Sequence, residues 1–251
     1  MKLIRPLVIT AVLLAVWQLV VWVTGAPHYI LPGPGRVLLA WREHAGELLD
    51  HAGVTMAEIL LGLAIGTLIG AATALSMAHA REIRRWLLPV LVISQAIPVF
   101  ALAPVLVLWL GYGMASKVAM AALIIFFPVT AAFHDGLRRT EPALIDSART
   151  LGCHGLALLF RVRIPAALPA FGSGLRVACA VAPIGAVVGE WVGSSAGLGY
   201  LMLHSNARMQ IDVMFAALLT LAVMAVAFYA VVDFSLRASM PWQPGESTDD
   251  P

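Results

Sequence analysis

The sequence predicts an all-α membrane protein with about six transmembrane helices, and three observations indicate this class. Of its 251 residues, 61% are hydrophobic and only 12% are charged, about half the charged share of an average soluble domain. Several apolar segments approach the roughly 20 residues that a helix needs to cross a bilayer. The Lys and Arg residues gather in alternate loops, as they do in proteins with a fixed membrane orientation.

The spans are expected to form a single domain over residues 1–240. The first span follows Lys2 and Arg5, and we interpret it as a retained helix because its apolar run is long and no small-residue cleavage site follows. Residues 241–251 are polar and are predicted to form a flexible tail. The predicted spans are 6–24, 54–77, 86–110, 118–133, 170–192 and 213–232.

The stretch between the first two spans should lie at the membrane surface. Its Pro and Gly residues at 32–35 predict a turn, and apolar residues among charges over 36–50 suit a short interfacial helix. In the second span, three glycines four residues apart share one face and predict close helix packing; a merely Ala/Gly-rich composition is the alternative. These glycines are Gly62, Gly66 and Gly70.

The third span carries three prolines, each of which removes a backbone donor and can kink a helix. Ser94 and Gln95 precede Pro98. A polar, kinked midsection suits a helix that lines a pore, because freed backbone groups are tolerated where they face a cavity. A kink that only shapes the bundle is the alternative.

Charges within apolar spans are further candidates, since a charge at bilayer depth is costly and often functional. Glu190 and the nearby Gly193 are candidates for the translocation path or its gate, although Glu190 could instead pair across a dimer. Glu58, at the start of the second span, is expected to be a solvated or interfacial carboxylate. Asp233 and Arg237 are four residues apart on a helix and are expected to pair.

The positions of the basic residues predict the orientation. If the N-terminus is cytoplasmic, four of the 16 Lys and Arg residues lie outside and the other twelve lie inside. The positive-inside rule then places both termini and the long loop 134–169 in the cytoplasm. The four outside residues are Arg36, Arg42, Lys117 and Arg208.

The polar loop itself predicts a compact protrusion. Residues 143–160 have the composition of a helix that starts after Pro142, but Gly152 and Gly155 should break it into two short helices. Cys153 and His154 lie in the intervening turn. Such a protrusion can insert into a groove of a partner protein; an ordinary basic loop is the alternative.

The spacing in this loop resembles the EAA motif of ABC importer permeases, which reads E-A-A, three residues, Gly, nine residues, I-x-L-P. The sequence matches in register, with Asp for Glu, Ser for Ala, Val for Ile and Ile for Leu. The resemblance implies the type I importer bundle, with a coupling helix around 151–158 that docks on a cytoplasmic ATPase. The matching residues are Asp146, Ser147, Ala148, Gly152, Val162, Ile164 and Pro165.

Three further segments, 29–34, 95–113 and 189–201, resemble the nitrate/sulfonate/taurine-type permeases. Within that group, 94–113 and 182–200 look most like permeases for hydroxymethylpyrimidine, a thiamine precursor. A sulfonate, taurine or nitrate solute is the alternative. An ion-coupled secondary transporter is a further alternative, but it should show internal repeats, and the sequence shows none.

The resemblance also implies partners and a location. The partners are a second permease subunit, most simply a second copy, an ATPase dimer, and a periplasmic or lipid-anchored solute-binding protein, all at the bacterial inner membrane. The sequence has no phosphate-binding G-x-x-x-x-G-K-[ST] motif, so ATP and Mg are expected on the partner ATPase. We expect no catalytic residues, metal site or cofactor on this chain, and no nucleic-acid partner, because dense basic patches with aromatics are missing.

Overall fold

The computed structural model describes residues 4–242, with side chains from Val8 onward. These residues form eleven α-helices, and a π-helical turn, Leu159–Arg163, joins the eighth to the ninth. The helices are α1 (Ile4–Thr24), α2 (Pro34–Glu43), α3 (Ala45–His79), α4 (Arg81–Ser94), α5 (Val99–Leu110), α6 (Met114–Arg138), α7 (Pro142–Thr150), α8 (Gly155–Leu158), α9 (Ile164–Gly193), α10 (Leu198–Ala207) and α11 (Ile211–Ser239). The predicted all-α class is confirmed.

The centre of the bundle is α6, which packs between α3 and α9. Small residues let the backbones approach closely. A Cβ added to Gly66 of α3 would lie 2.8 Å from the carbonyl oxygen of Ala122, and one added to Gly185 of α9 would lie 2.7 Å from Cα of Ala121. Gly62 and Gly70 also face α6, so the whole predicted glycine stripe lies in this contact.

Three apolar clusters stack along the bundle and fix its two ends. The middle cluster joins α3, α6, α9 and α11 through residues such as Ile59, Ile125 and Ala182. One end is closed by α2, α10 and α11, which meet around Val37 and Leu198. The opposite end is closed where the chain leaves the π-helical turn; its cluster contains Ala74, Phe133, Leu137, Leu159 and Ala167.

Four helical stretches among the described residues are long and apolar enough to cross a membrane: α3, α6, α11 and the stretch Gly155–Gly193 that ends in α9. The α4–α5 pair could form a fifth. In α1 the apolar helix with described side chains, Val8–Thr24, is slightly shorter than the roughly 20 residues a span needs. The expected count of six therefore requires both α1 and the α4–α5 pair to cross.

The predicted third span, 86–110, differs most from the structure. It is two helices, α4 and α5, that bend by 101° at the break between Ser94 and Val99. We call residues 95–98 of this break the elbow. Pro98 has an extended ψ of 117° before α5, and a proline cannot donate the backbone bond that would continue α4. The expected kink is therefore a bend slightly wider than a right angle.

The other helix boundaries also differ from the predicted ones. The helix predicted over 36–50 is α2 only as far as Glu43, and the rest belongs to α3, which begins at Ala45. Helix α10 was not predicted, because its 10 residues are too few to cross a bilayer and lie between two predicted spans. The predicted loop 134–169 is shorter, since α6 extends to Arg138 and α9 begins at Ile164. The predicted tail lies outside the described residues, apart from 241–242.

Candidate functional site

A tight turn separates α7 from α8 at the end of the bundle closed by Leu159. The amide of Gly152 donates to the carbonyl of Arg149 at 2.9 Å, and the amide of Cys153 donates to the carbonyl of Ala148 at 2.9 Å. These two bonds form a Schellman motif, which places the residue after the helix cap in the left-handed region. Gly152 occupies that position with φ of +81°, a conformation that glycine adopts without strain.

This turn projects away from the bundle. Every residue of α7 is at least partly exposed, and the Leu151 side chain is 87% exposed. Leu144, Leu156 and Phe160 add exposed apolar surface on both sides of the turn. We call the segment 142–163 the projecting loop. Apolar side chains presented on a short, ordered protrusion suit insertion into a partner's groove.

The projecting loop is firmly attached where it returns to the bundle. Leu158 and Leu159 are buried, and Leu159 packs in the cluster that closes this end. The Arg163 guanidinium donates through Nε and Nη2 to the carbonyl of Leu137, at 3.2 and 2.7 Å. That carbonyl lies in the last turn of α6, where backbone acceptors lack helical partners. A force applied to the loop would therefore reach α6 and α9 directly.

The motif residues fall on both arms of the projecting loop. Asp146, Ser147 and Ala148 lie in α7, and Val162 lies in the π-helical turn. Ile164 and Pro165 begin α9 directly after the π-helical turn, and the amide of Ile164 still donates to the carbonyl of Leu159. The coupling helix expected around 151–158 is helical only over Gly155–Leu158, because residues 151–154, including Cys153 and His154, form the turn.

The residues predicted for the translocation path lie in two places. Ser94, Gln95 and Pro98 are exposed at or beside the elbow. Glu190 is only 1% exposed, and Gly193 is buried where an added Cβ would lie 3.0 Å from Tyr112 and 3.1 Å from Val107. The first three therefore face the surroundings of the protomer, whereas the last two belong to its packed interior.

Glu190 belongs to a group of buried polar side chains, which we call the buried charge cluster: Thr55 and Glu58 of α3, Lys117 of α6 and Glu190 of α9. The Lys117 ammonium lies 3.5 Å from Oε1 of Glu58, with their side chains 7% and 0% exposed. The carboxyl groups of Glu58 and Glu190 lie close enough to interact. The Thr55 hydroxyl donates to Oε1 of Glu190 at 2.6 Å.

The buried charge cluster holds the beginning of α10. The amides of Gly199 and Tyr200 donate to Oε2 of Glu190, and the amide of Leu198 donates to the Thr55 hydroxyl at 2.8 Å. A carboxylate at this position satisfies the first amides of the helix and favours its dipole. Gly197, with φ of +111°, lies against the Glu190 carboxyl, where an added Cβ would overlap it.

Sequence reasoning missed most of this cluster. Glu58 was expected at an interface and is fully buried, and Lys117 was expected in an outer loop but lies buried in the first turn of α6. A signal was available in the spacing, because Thr55, Glu58 and Gly62 are three to four residues apart and so share the face of α3 that packs on α6. The partner of that face could not be read from one helix.

A second charged group lies between α9 and α11. Nε of Arg176 donates to Oδ1 of Asp233 at 2.6 Å, and Nε of Arg237 donates to Oδ2 of the same carboxylate at 2.9 Å. The pair expected four residues apart is therefore present, and Asp233 also ties α11 to α9. Among the described residues, no group of three or more His, Cys, Asp or Glu side chains could hold a metal ion.

Comparison with known proteins gives the family. A family model described as "Binding-protein-dependent transport system inner membrane component" matches residues 62–242, which include the projecting loop, the elbow and, from the buried charge cluster, Lys117 and Glu190. A Haemophilus influenzae protein named "Probable ABC transporter permease protein" is 58% identical over 236 residues, covering 94% of this chain and 96% of the relative.

Three further relatives carry the names of solutes. The riboflavin transport system permease protein RibX of Chloroflexus aurantiacus is 37% identical over 92% of this chain and 87% of its own length. The formylaminopyrimidine transport permease protein ThiX of Halalkalibacterium halodurans is 34% identical over 96% of both chains. The taurine transport system permease protein TauC of Escherichia coli is more distant, at 28% identity, which agrees with the predicted nitrate/sulfonate/taurine-type group.

The bundle of apolar helices, the projecting loop with its motif in register, and these full-length similarities agree with one another. The chain belongs to the family of inner membrane components of binding-protein-dependent transport systems, the ABC transporter permeases.

Proposed function

We propose that solute uptake through this permease is driven by a separate ATPase dimer that binds the projecting loop. ATP and Mg bind to that dimer. The observation that carries the proposal is the combination of exposed Leu151 with the anchorage of Leu159 and Arg163. ATP binding closes the ATPase dimer, the loop follows, and α6 and α9 shift between two arrangements. The ATPase thus biases a two-state equilibrium in the permease.

The test is the substitution Leu151→Gln in the reconstituted transporter. Because an apolar anchor is lost from the contact, we expect roughly tenfold weaker association with the ATPase, in the range that interface anchors contribute, and lower ATP-driven uptake. Leu39→Gln is the matched control, since Leu39 is also exposed but lies on α2, far along the chain from the loop. Equal association by both variants would contradict the proposal.

The solute is proposed to be a pyrimidine precursor of thiamine, such as hydroxymethylpyrimidine or its formylamino relative. The support is ThiX, which matches nearly the whole length of both chains. Riboflavin is a second candidate, because RibX is slightly more similar in sequence. Both are nitrogen heterocycles without a strong acid group, whereas a sulfonate, taurine or nitrate would place a compact anion in the path.

Uptake into proteoliposomes that contain the permease, the ATPase and the solute-binding protein separates these candidates. Labelled hydroxymethylpyrimidine, riboflavin and taurine are offered in turn, with and without ATP inside. ATP-dependent accumulation of hydroxymethylpyrimidine alone is the expected result. Accumulation of riboflavin or taurine in its place would replace the solute and leave the permease function intact.

The path is proposed to run between two copies of the chain, with both termini in the cytoplasm. Non-helical backbone at membrane depth is tolerated only where protein covers it or water fills a cavity, which supports an elbow that faces a path rather than lipid. Ser94, Gln95 and Pro98 then line the path. Glu190 and Gly193 are packed inside each copy near the closed periplasmic end of the path, where they hold part of its gate in place.

A further inference from the structure

The buried charge cluster contains two acidic side chains and one basic side chain, on three different helices. Glu58 and Glu190 are 0% and 1% exposed, and Lys117 is 6% exposed. Removing any of these charges from water is expensive, and the expense is offset only by good partners. The balance of charge among the three therefore decides whether the arrangement is stable.

The two carboxylates have different partners. Glu190 accepts hydrogen bonds from the Thr55 hydroxyl and from the amides of Gly199 and Tyr200. Among the residues that the structure describes, neither oxygen of Glu58 has a hydrogen-bond partner. Glu58 has instead the ammonium of Lys117 at 3.5 Å. Lys117 is thus the group that compensates Glu58, while α10 compensates Glu190.

We infer that Lys117 is a positioning residue for the turn between α9 and α10: by neutralising Glu58, it allows Glu190 to stay in place as the acceptor for the first amides of α10. Among the described residues, Lys117 makes no hydrogen bond to that turn or to the hydroxyl of Thr55, whose partners include Glu190 and the amide of Leu198. It acts through the charge of Glu58, and it links α6 to an element with which α6 shares no hydrogen bond among the described residues.

The shape of the turn makes it sensitive to the position of Glu190. An added Cβ on Gly197 would overlap the Glu190 carboxyl, and one on Gly199 would lie 2.8 Å from Oε2. The turn is therefore moulded around this carboxylate. Without Lys117, Glu58 and Glu190 could not both stay ionised in a buried site, so the pair would take up a proton. That proton would draw an oxygen of Glu190 toward Glu58, and a displaced Glu190 would leave the amides of α10 without acceptors.

Hydrogen exchange of the full-length permease in lipid nanodiscs tests this inference without its partners. We expect Lys117→Met to speed exchange of the amides of 198–201 by roughly a hundredfold, as for a buried pair that loses one partner. The double variant Glu58→Gln/Lys117→Met removes the compensated charge as well and should return exchange to near the wild-type rate. Arg208→Met is the matched control, because it removes an exposed positive charge beside α10 and should leave exchange unchanged.

Each outcome bears on the inference. A Lys117→Met variant that misfolds while the double variant folds would support it, because only the charge balance differs. Unchanged exchange in Lys117→Met would overturn it, and so would a double variant that exchanges as fast as the single variant or fails to fold. In reconstituted uptake, the double variant should likewise exceed Lys117→Met, a reversal that a role for Lys117 in packing alone would not produce.

Discussion

Single residues decide the conformation of the projecting loop. Gly152 has a left-handed backbone, yet an added Cβ there would meet nothing within 4 Å. A substitution would thus be opposed only by backbone strain and not by a clash. The position separates the effect of turn geometry from that of packing, which is rarely possible in a closely packed protein.

At this scale we predict that Gly152→Ala uncouples ATP hydrolysis from uptake. Alanine in the left-handed region costs about 1–2 kcal/mol, so the Schellman turn should open and the loop should transmit less movement. Asparagine tolerates this region better, and Gly152→Asn should retain more coupling. The measurement is the ratio of solute transported to ATP hydrolysed.

A matched glycine controls for the added methyl group. An added Cβ on Gly46 also meets open space, but Gly46 lies within the ordinary helical backbone of α3. Gly46→Ala should leave the transport ratio unchanged. If Gly152→Ala transports with the wild-type ratio, the turn conformation is not what couples the two subunits.

Between helices, the close approach of the backbones decides which helix faces pack together. The glycine stripe of α3 brings its backbone against α6, and Gly185 does the same from α9. Lipid tails are as apolar as leucine, so helices in a bilayer associate by packing rather than by the hydrophobic effect. The three helices are therefore held by shape, with the Arg176–Asp233 pair adding a polar link to α11.

The same substitution in two turns of α3 should have opposite effects. Gly66→Ala would place Cβ 2.8 Å from a backbone oxygen, and such overpacking destabilises by about 1–3 kcal/mol. Gly53→Ala meets open space and should stabilise by up to about 1 kcal/mol, because alanine is the better helix former. Thermal unfolding of the two variants in the same lipid measures the difference. Equal midpoints would show that α3 and α6 do not pack as described.

The sequence predicted the elements that depend on local pattern and missed those that depend on contact. Long apolar runs located the main helices, and Gly152 located the break between α7 and α8. The 101° bend at the elbow was underestimated, because the presence of a proline does not determine the angle at which its helix bends. Lys117 was expected in a loop. A lysine can be buried when a carboxylate from another helix reaches it, and that contact is not visible in the local sequence.

For the molecule as a whole, the two ends of the bundle are built from different elements. The helix α9 connects them, with the projecting loop before it and the turn to α10 after it. Its 30 residues span about 45 Å at 1.5 Å per residue, which exceeds the thickness of the hydrocarbon core. We therefore expect the projecting loop and the turn to α10 to lie on opposite sides of the membrane.

Cysteine labelling tests this arrangement and its direction. In a variant with Cys153→Ser, a cysteine at Ala157 should react with an impermeant thiol reagent only from the cytoplasm. A cysteine at Ser195, in the exposed part of the turn to α10, should react only from the periplasm. Labelling of both positions from one side would contradict a membrane-spanning α9, and a reversed pattern would invert the predicted orientation.

The packing of α6 has a consequence for how the gene can change over time. Every missense mutation of a glycine codon introduces a larger residue. No single substitution at Gly66 or Gly185 is therefore tolerated unless α6 shifts at the same time. Gly53, in the same helix as Gly66, is free of that restriction. Orthologues should therefore accumulate replacements at the open glycines, while those against α6 change only together with Ala121 and Ala122.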